Sequence, residues 1–146
     1  MGRLSDSLRA AYATSAYGPV GGRFVLQAAP STPPHWAKAG RTWAIVTAWN
    51  PKSVWQSEAL NKAAAAALAH QIRAEGWQSE PAWNGEGQWR EESLLVWDVP
   101  LKVAVRWGQV FGQNAVLWGI GSRAALVWVA DGPQPDPIER FWLAGI

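Results

Sequence analysis

Two adjacent carboxylates and a scatter of side-chain amides are the residues of this chain with chemistry to offer. Glu91 and Glu92 open the run "EESLLVWDV", whose apolar residues mark a strand. On a strand, Glu91, Ser93, Leu95 and Trp97 share one face while Glu92, Leu94, Val96 and Asp98 share the other, so one face starts acidic in either register. A carboxylate on a sheet face beside an amide can act as a general base or hold a cationic or hydroxylated ligand. It can equally cap a helix or pair with an arginine at the strand end. Asn61 falls in the middle of the apolar stripe formed by Leu60, Ala64, Ala65, Leu68 and Ile72 at 100° per residue. An amide buried there needs partners or costs about 1–3 kcal/mol. It either ties its helix to a neighbouring turn or faces a polar pocket.

The stretch "TAWNPKS", Thr47 to Ser53, carries a second set. Thr47 is polar on a strand face it shares with Ile45 and Trp49. Asn50-Pro51 suits a helix start, since Asn caps well and Pro is favoured at the first helical position. Ser53 could cap instead, with Gln56 three residues on completing a capping box. Gln113 and Asn114 follow Gly112 and lead into a strand, a setting where side-chain amides commonly satisfy turn backbone. The chain has no cysteine, which removes disulfides, thiolate nucleophiles and zinc fingers. His35 and His70 are scattered, so neither a metal site nor a His-based triad is expected. "GIGS" (Gly119–Ser122) is too short for a phosphate-cradling loop and reads as a hairpin turn.

The elements that must position these groups follow from periodicity. Leu4, Leu8, Ala11 and Tyr12 recur at helical spacing, and Gly18 stops that helix. "GRFVLQ" reads as a strand, "AAPSTPPHWAKAG" as a long proline loop, and "TWAIVTAW" as the next strand. A helix follows over "EALNKAAAAALAHQIRAEG". "WQSEPAWNG" and "REESLLVWDV" form a hairpin in which Pro81 confines the first strand to an edge or bulge. "PLKVAVRWGQVFG" is helical between Pro100 and Gly112, and "NAVLWGI" and "AALVWVA" are two further strands. This order of helix-strand-strand, three times over, predicts an α+β domain with a largely antiparallel sheet of about six strands and three helices on one face. The expected organisation is a domain over 1–131, a Pro-rich linker over 132–137 and an apolar tail over 138–146. The tail residues Phe141, Trp142 and Leu143 should be buried. They dock either on this chain, over Val103, Trp107 and Val110, or on a second copy or another protein.

Composition sets the outer bounds. With 146 residues, 49% hydrophobic and 16% charged, the chain reads as one globular domain. No apolar run is long enough for a membrane span, and "MGRLSDSLRA" lacks a signal-peptide core, so a cytoplasmic protein is expected. The net charge is +2, with residues 1–50 holding five basic side chains against one acidic. That is far from the dense basic stripe of a duplex binder. Of the twelve tryptophans, Trp43, Trp49, Trp97, Trp118 and Trp128 lie in strands where core packing is expected. Trp36, Trp55, Trp83 and Trp89 fall in loops or strand ends, where stacking on a ligand competes with packing.

"TAWNPKS", Asn61, "WREESLLV" and "FGQNAVLWG", in that order from Trp43 to Val129, resemble a bacterial domain of unknown function, number 3293 in its series. The resemblance implies a small bacterial cytoplasmic protein and carries no activity. The family's polar motif positions fall on Thr47, Asn50, Ser53, Asn61, Glu91, Ser93, Gln113 and Asn114, with Glu92 the alternative to Glu91. Amides with one carboxylate, and no good nucleophile, suit recognition better than catalysis. The expected function is therefore non-catalytic binding of an unknown small ligand or protein in a polar cleft, without cofactor or metal. Two rivals remain open. One is an enzyme using Glu91 or Glu92 as acid/base, with Asn50 and Asn61 positioning substrate. The other is a single-stranded nucleic-acid binder using loop tryptophans. A homo-oligomer through the tail is a further expectation.

Overall fold

A computed structural model describes residues 6–129 and 138–146. In chain order it has α1 (Asp6–Thr14), β1 (Ala16–Gly18), β2 (Phe24–Gln27), β3 (Thr42–Val46), a 3-10 turn (Pro51–Ser53) and α2 (Glu58–Ala74). Then come β4 (Ser79–Asn84), a 3-10 turn (Gly87–Trp89), β5 (Glu91–Trp97), α3 (Leu101–Val110), β6 (Ala115–Ile120), β7 (Arg123–Trp128) and β8 (Glu139–Gly145). The architecture is α+β with an antiparallel sheet, as the pattern predicts, but the sheet has eight strands closed into a barrel. The order round the barrel is β1-β2-β8-β7-β6-β3-β5-β4, and β4 returns to β1. The expected sheet of about six strands is thus corrected. β1 is too short to show a period. The segment expected as an apolar tail is strand β8, which pairs with β2 through Leu26↔Leu143 and with β7 through Arg123↔Trp142. The expected linker over 132–137 lies outside the described residues. The tail does not dock over Val103, Trp107 and Val110; it completes the barrel.

Alternation along the central strands makes two cores. Trp43 and Ile45 of β3, Leu95 of β5, Leu117 of β6 and Leu126 and Trp128 of β7 point into the barrel. Their neighbours Ala44, Val46, Val96, Val116 and Val127 point outward, where they pack with Leu68 and Ile72 of α2 and with Ala104 and Trp107 of α3. These strands are therefore apolar on both faces. α1 sits apart from this helical layer, because its Tyr12 packs against the interior cluster.

Aromatic rings fill one end of the interior. Trp36 leaves the proline loop and inserts there, edge-on to Trp43 at 5.2 Å and to Trp97 at 5.6 Å. Its indole N–H donates to the Gly22 carbonyl at 2.7 Å. Trp36 is thus a core residue, 6% exposed, and not a free loop ring. The Trp43 ring lies so close over its register partner on the adjacent strand β6 that a Cβ on Gly119 would come within 2.3 Å of it, so β6 needs glycine there. The closing seam between β1 and β4 has only two register pairs, Tyr17↔Asn84 and Gly18↔Trp83. Arg23 reinforces it by donating to the carbonyls of Ala16, Trp83 and Gly85 at 2.9, 3.2 and 3.0 Å. Pro81 lies beyond that seam, so its missing N–H costs no ladder bond on that side.

Candidate functional site

The register brings one end of six strands to a common rim. β3 ends at Val46, β5 starts at Glu91 opposite Asn84 of β4, β6 starts at Ala115 opposite Trp128 of β7, and β8 starts at Glu139 opposite Leu126. Glu91 and Ser93 share the face of Leu95, whose side chain joins the interior, while Leu94 and Val96 belong to the outer cluster. The two-face reading of this strand holds. It sends the two carboxylates to opposite sides: Glu92 pairs on the outside with Lys62 of α2, whereas Glu91 lines the barrel mouth.

At the mouth, the turn after β3 is held in an unusual backbone. Asn50, Lys52 and Ser53 have φ of 46°, 60° and 61°, the left-handed region that ordinary residues avoid. Asn50 does precede a short 3-10 turn, but its side chain caps nothing in it. The cap of α2 is Ser57, whose hydroxyl accepts from the Leu60 N–H at 3.3 Å, so neither Asn50 nor Ser53 starts that helix. Instead the Asn50 side chain is spent on its surroundings. Its amide nitrogen donates to Glu91 Oε2 at 2.9 Å, and its oxygen accepts from the Gln56 N–H and from Asn61 Nδ2, both at 3.0 Å. Asn61, 2% exposed, accepts in turn from the Asn50 N–H at 2.9 Å and from Gln56 Nε2 at 2.7 Å. The buried amide of α2 thereby ties helix to turn, the first of the two uses foreseen for it.

The remaining polar residues tie the same turn to the barrel. Thr47 donates to the Glu92 carbonyl at 2.6 Å and accepts from the Trp49 N–H at 3.1 Å. Gln113 donates to the Trp49 carbonyl at 3.1 Å. Asn114 Nδ2 donates to Ser53 Oγ at 2.9 Å, and that hydroxyl also meets the Tyr12 hydroxyl at 3.0 Å. Seven of the nine motif residues therefore gather at the rim: Thr47, Asn50, Ser53, Asn61, Glu91, Gln113 and Asn114. The Glu92 side chain does not. Ser93 is buried with its hydroxyl unpartnered among the described residues.

Inside this frame lies a cavity of about 180 Å³. Tyr12, Thr47, Ser53, Asn84, Glu91 and Gln113 give it a polar wall, and Leu8, Ile45, Leu117 and Leu126 an apolar one. Burial raises the Glu91 carboxyl above the usual carboxylate range, against the opposing effect of the Asn50 hydrogen bond. Burial likewise raises the Tyr12 hydroxyl; hydrogen bonds from Ser53 and Asn114 oppose this, and the Glu91 charge adds to it. Asn84 Oδ1 is buried at the mouth without a partner among the described residues. Sequence reasoning gives no site role to Tyr12, Tyr17 or Asn84, and gives Gln56 only a capping-box role with Ser53. Tyr12 was read only as part of a helical stripe, and the hydroxyl of Tyr17, which donates to the Tyr12 carbonyl, is brought there by pairings that have no local signature.

Among the described residues, no group of three His, Cys, Asp or Glu side chains could hold a metal ion. No helix among them is long and apolar enough to cross a membrane. Fold and rim together define a small closed antiparallel barrel with an outer helical layer and a polar mouth. Residues 46–116, a little under half of the chain, match the family described as protein of unknown function (DUF3293), the family that the motifs resemble. The matched segment holds "TAWNPKS", Asn61, "WREESLLV" and the start of "FGQNAVLWG". No curated protein and no solved structure matches the chain.

Proposed function

We propose that this protein is a non-catalytic binder of a small, hydroxylated, uncharged molecule held in the barrel mouth. The observation that carries the reading is the contrast between the two ends of the interior. One is filled by Trp36, Trp43, Trp97 and Phe24, while the other keeps about 180 Å³ behind a wall of hydroxyls, amides and one carboxyl. That volume is on the scale of the ~150 Å³ engineered cavity that takes benzene, so one ring or a short chain fits. A few placed polar groups over an apolar floor are the usual make-up of a ligand pocket. The Asn84 oxygen, buried without a partner, would accept from a ligand hydroxyl.

Ala115 lines the cavity, so Ala115→Leu should fill it. A library of one-ring hydroxylated compounds, followed by ligand-observed NMR, should yield binders to the natural chain that A115L loses while it stays folded. Binders that contact both chains equally, or no binder at all, would remove the cavity from consideration.

A catalytic reading has one observation in its favour, the raised carboxyl of Glu91 in a cavity. Against it, among the described residues the Ser53 hydroxyl meets the Tyr12 hydroxyl and the Asn114 amide, neither of which is a base that could activate it.

A further inference from the structure

Trp55 and Trp89 are 73% and 71% exposed and line one groove of about 170 Å³, together with Asn50, Gln56, Glu58 and Arg90. Other tryptophans of the chain have clear uses: Trp36, Trp43 and Trp97 pack in the barrel, and Trp83, Trp128 and Trp142 lie under Arg90, Arg9 and Arg123. We infer that the Trp55–Trp89 groove is a binding site for a neutral pyranose sugar. Trp89 lines both the groove and the cavity, whereas Trp55 lines the groove and not the cavity, so Trp55 is the residue that tells the two sites apart.

Both rings stand on fixed backbone. The Val54 N–H donates to the Pro51 carbonyl at 3.1 Å and the Gln56 N–H to Asn50 Oδ1 at 3.0 Å, one on each side of Trp55. The Trp89 N–H donates to the Glu86 carbonyl at 3.2 Å and the Arg90 N–H to the Gly87 carbonyl at 3.1 Å. Backbone held in this way loses little freedom when the rings meet a ligand. The face of an indole is electronegative, and the C–H face of a pyranose carries the complementary partial charge. The ring hydroxyls then need donors and acceptors at the edge, which Glu58, Arg90 and Gln88 of the groove supply. The indole N–H of Trp49, also in the groove lining, is buried without a partner among the described residues and would donate to a sugar oxygen. One acid and one base leave the groove no net field for phosphate, whereas a nucleic-acid strand needs cations that track its backbone.

The test applies the full chain to a printed glycan array, then titrates the hits as soluble oligosaccharides by ligand-observed NMR, with oligo(dT) titrated in parallel. The expected result is saturable binding of a neutral pyranose, weakened about tenfold or more by Trp55→Ala and little affected by salt. The unfolding midpoint of W55A should stay unchanged because the ring is exposed. A115L should keep the sugar, which separates the groove from the cavity. The proposal is overturned if no glycan binds, if binding survives in the W55A/W89A double variant, or if only oligo(dT) binds, with steep salt dependence.

Discussion

The side chains of Asn50 and Asn61 hold each other's amides. Asn61 Oδ1 accepts the Asn50 backbone N–H at 2.9 Å, and Asn50 Oδ1 accepts Asn61 Nδ2 at 3.0 Å. The pair joins the buried face of α2 to a turn in which Asn50 tolerates the left-handed region but Lys52 and Ser53 have no intrinsic preference for it. Asn50 Nδ2 carries the link on to Glu91 by donating to its Oε2. The conformation of the rim thus depends on a side chain that lies in the middle of an apolar helical stripe.

Asn61→Leu should therefore destabilise the protein, although it completes the apolar stripe of α2. The leucine leaves the Asn50 N–H and the Gln56 amide without their acceptor in a buried setting, at about 1–3 kcal/mol for an unsatisfied group. Urea unfolding should show a lower midpoint with an unchanged slope. A midpoint equal to that of the natural chain would mean that the turn holds its shape without Asn61.

Glu91→Gln should change how stability depends on pH. Burial raises the Glu91 carboxyl in the folded chain, so between the unfolded and folded titrations the native state binds the extra proton. Stability then falls as pH rises through that window, and the loss persists above it. Glutamine keeps an oxygen for the Asn50 amide and has no charge to bury. The variant should melt higher than the natural chain at pH 7, and the gap should close in acid below the ordinary carboxylate range. A lower melting point at pH 7 would show that the ionised carboxylate, held by Asn50, is a net stabiliser.

How much of this was legible in the sequence depended on whether the signal was local. The alternation of Trp43-Ala44-Ile45-Val46 and Leu94-Leu95-Val96-Trp97 marks strands, and parity alone put Glu91 and Glu92 on opposite faces, while which face is the interior follows from the closed barrel. The stripe that placed Asn61 inside α2 is equally local. Closure of the barrel is not, because it rests on Tyr17 meeting Asn84 and on Leu143 meeting Leu26. Those partners are far apart in sequence, and no period connects them. Trp36 had the same fault: among prolines it reads as a loop ring, and only the closed barrel offers it an interior to fill. The residues gathered at the rim were named through motif positions, but that they share one rim follows from strand register.

Leu143 offers the sharpest test of that closure. It is fully buried in the interior cluster, and its strand β8 fills the gap between β2 and β7. Glu139 at the start of the strand also receives the Trp128 indole N–H at 2.7 Å and the Arg9 guanidinium at 2.9 Å. Leu143→Ala should cost about 2–5 kcal/mol, as truncations of well-packed leucines do. Deleting residues 138–146 is far more severe, because it exposes the interior and leaves two strand edges with unpaired backbone groups. Against a total stability of about 5–15 kcal/mol, the truncated chain should lose its cooperative thermal transition and bind a hydrophobic dye. Adding the 138–146 peptide in trans should restore part of the transition by supplying the missing strand. If the truncated chain instead melts cooperatively at the natural temperature, the barrel does not need its eighth strand and the apolar segment is free to serve a partner.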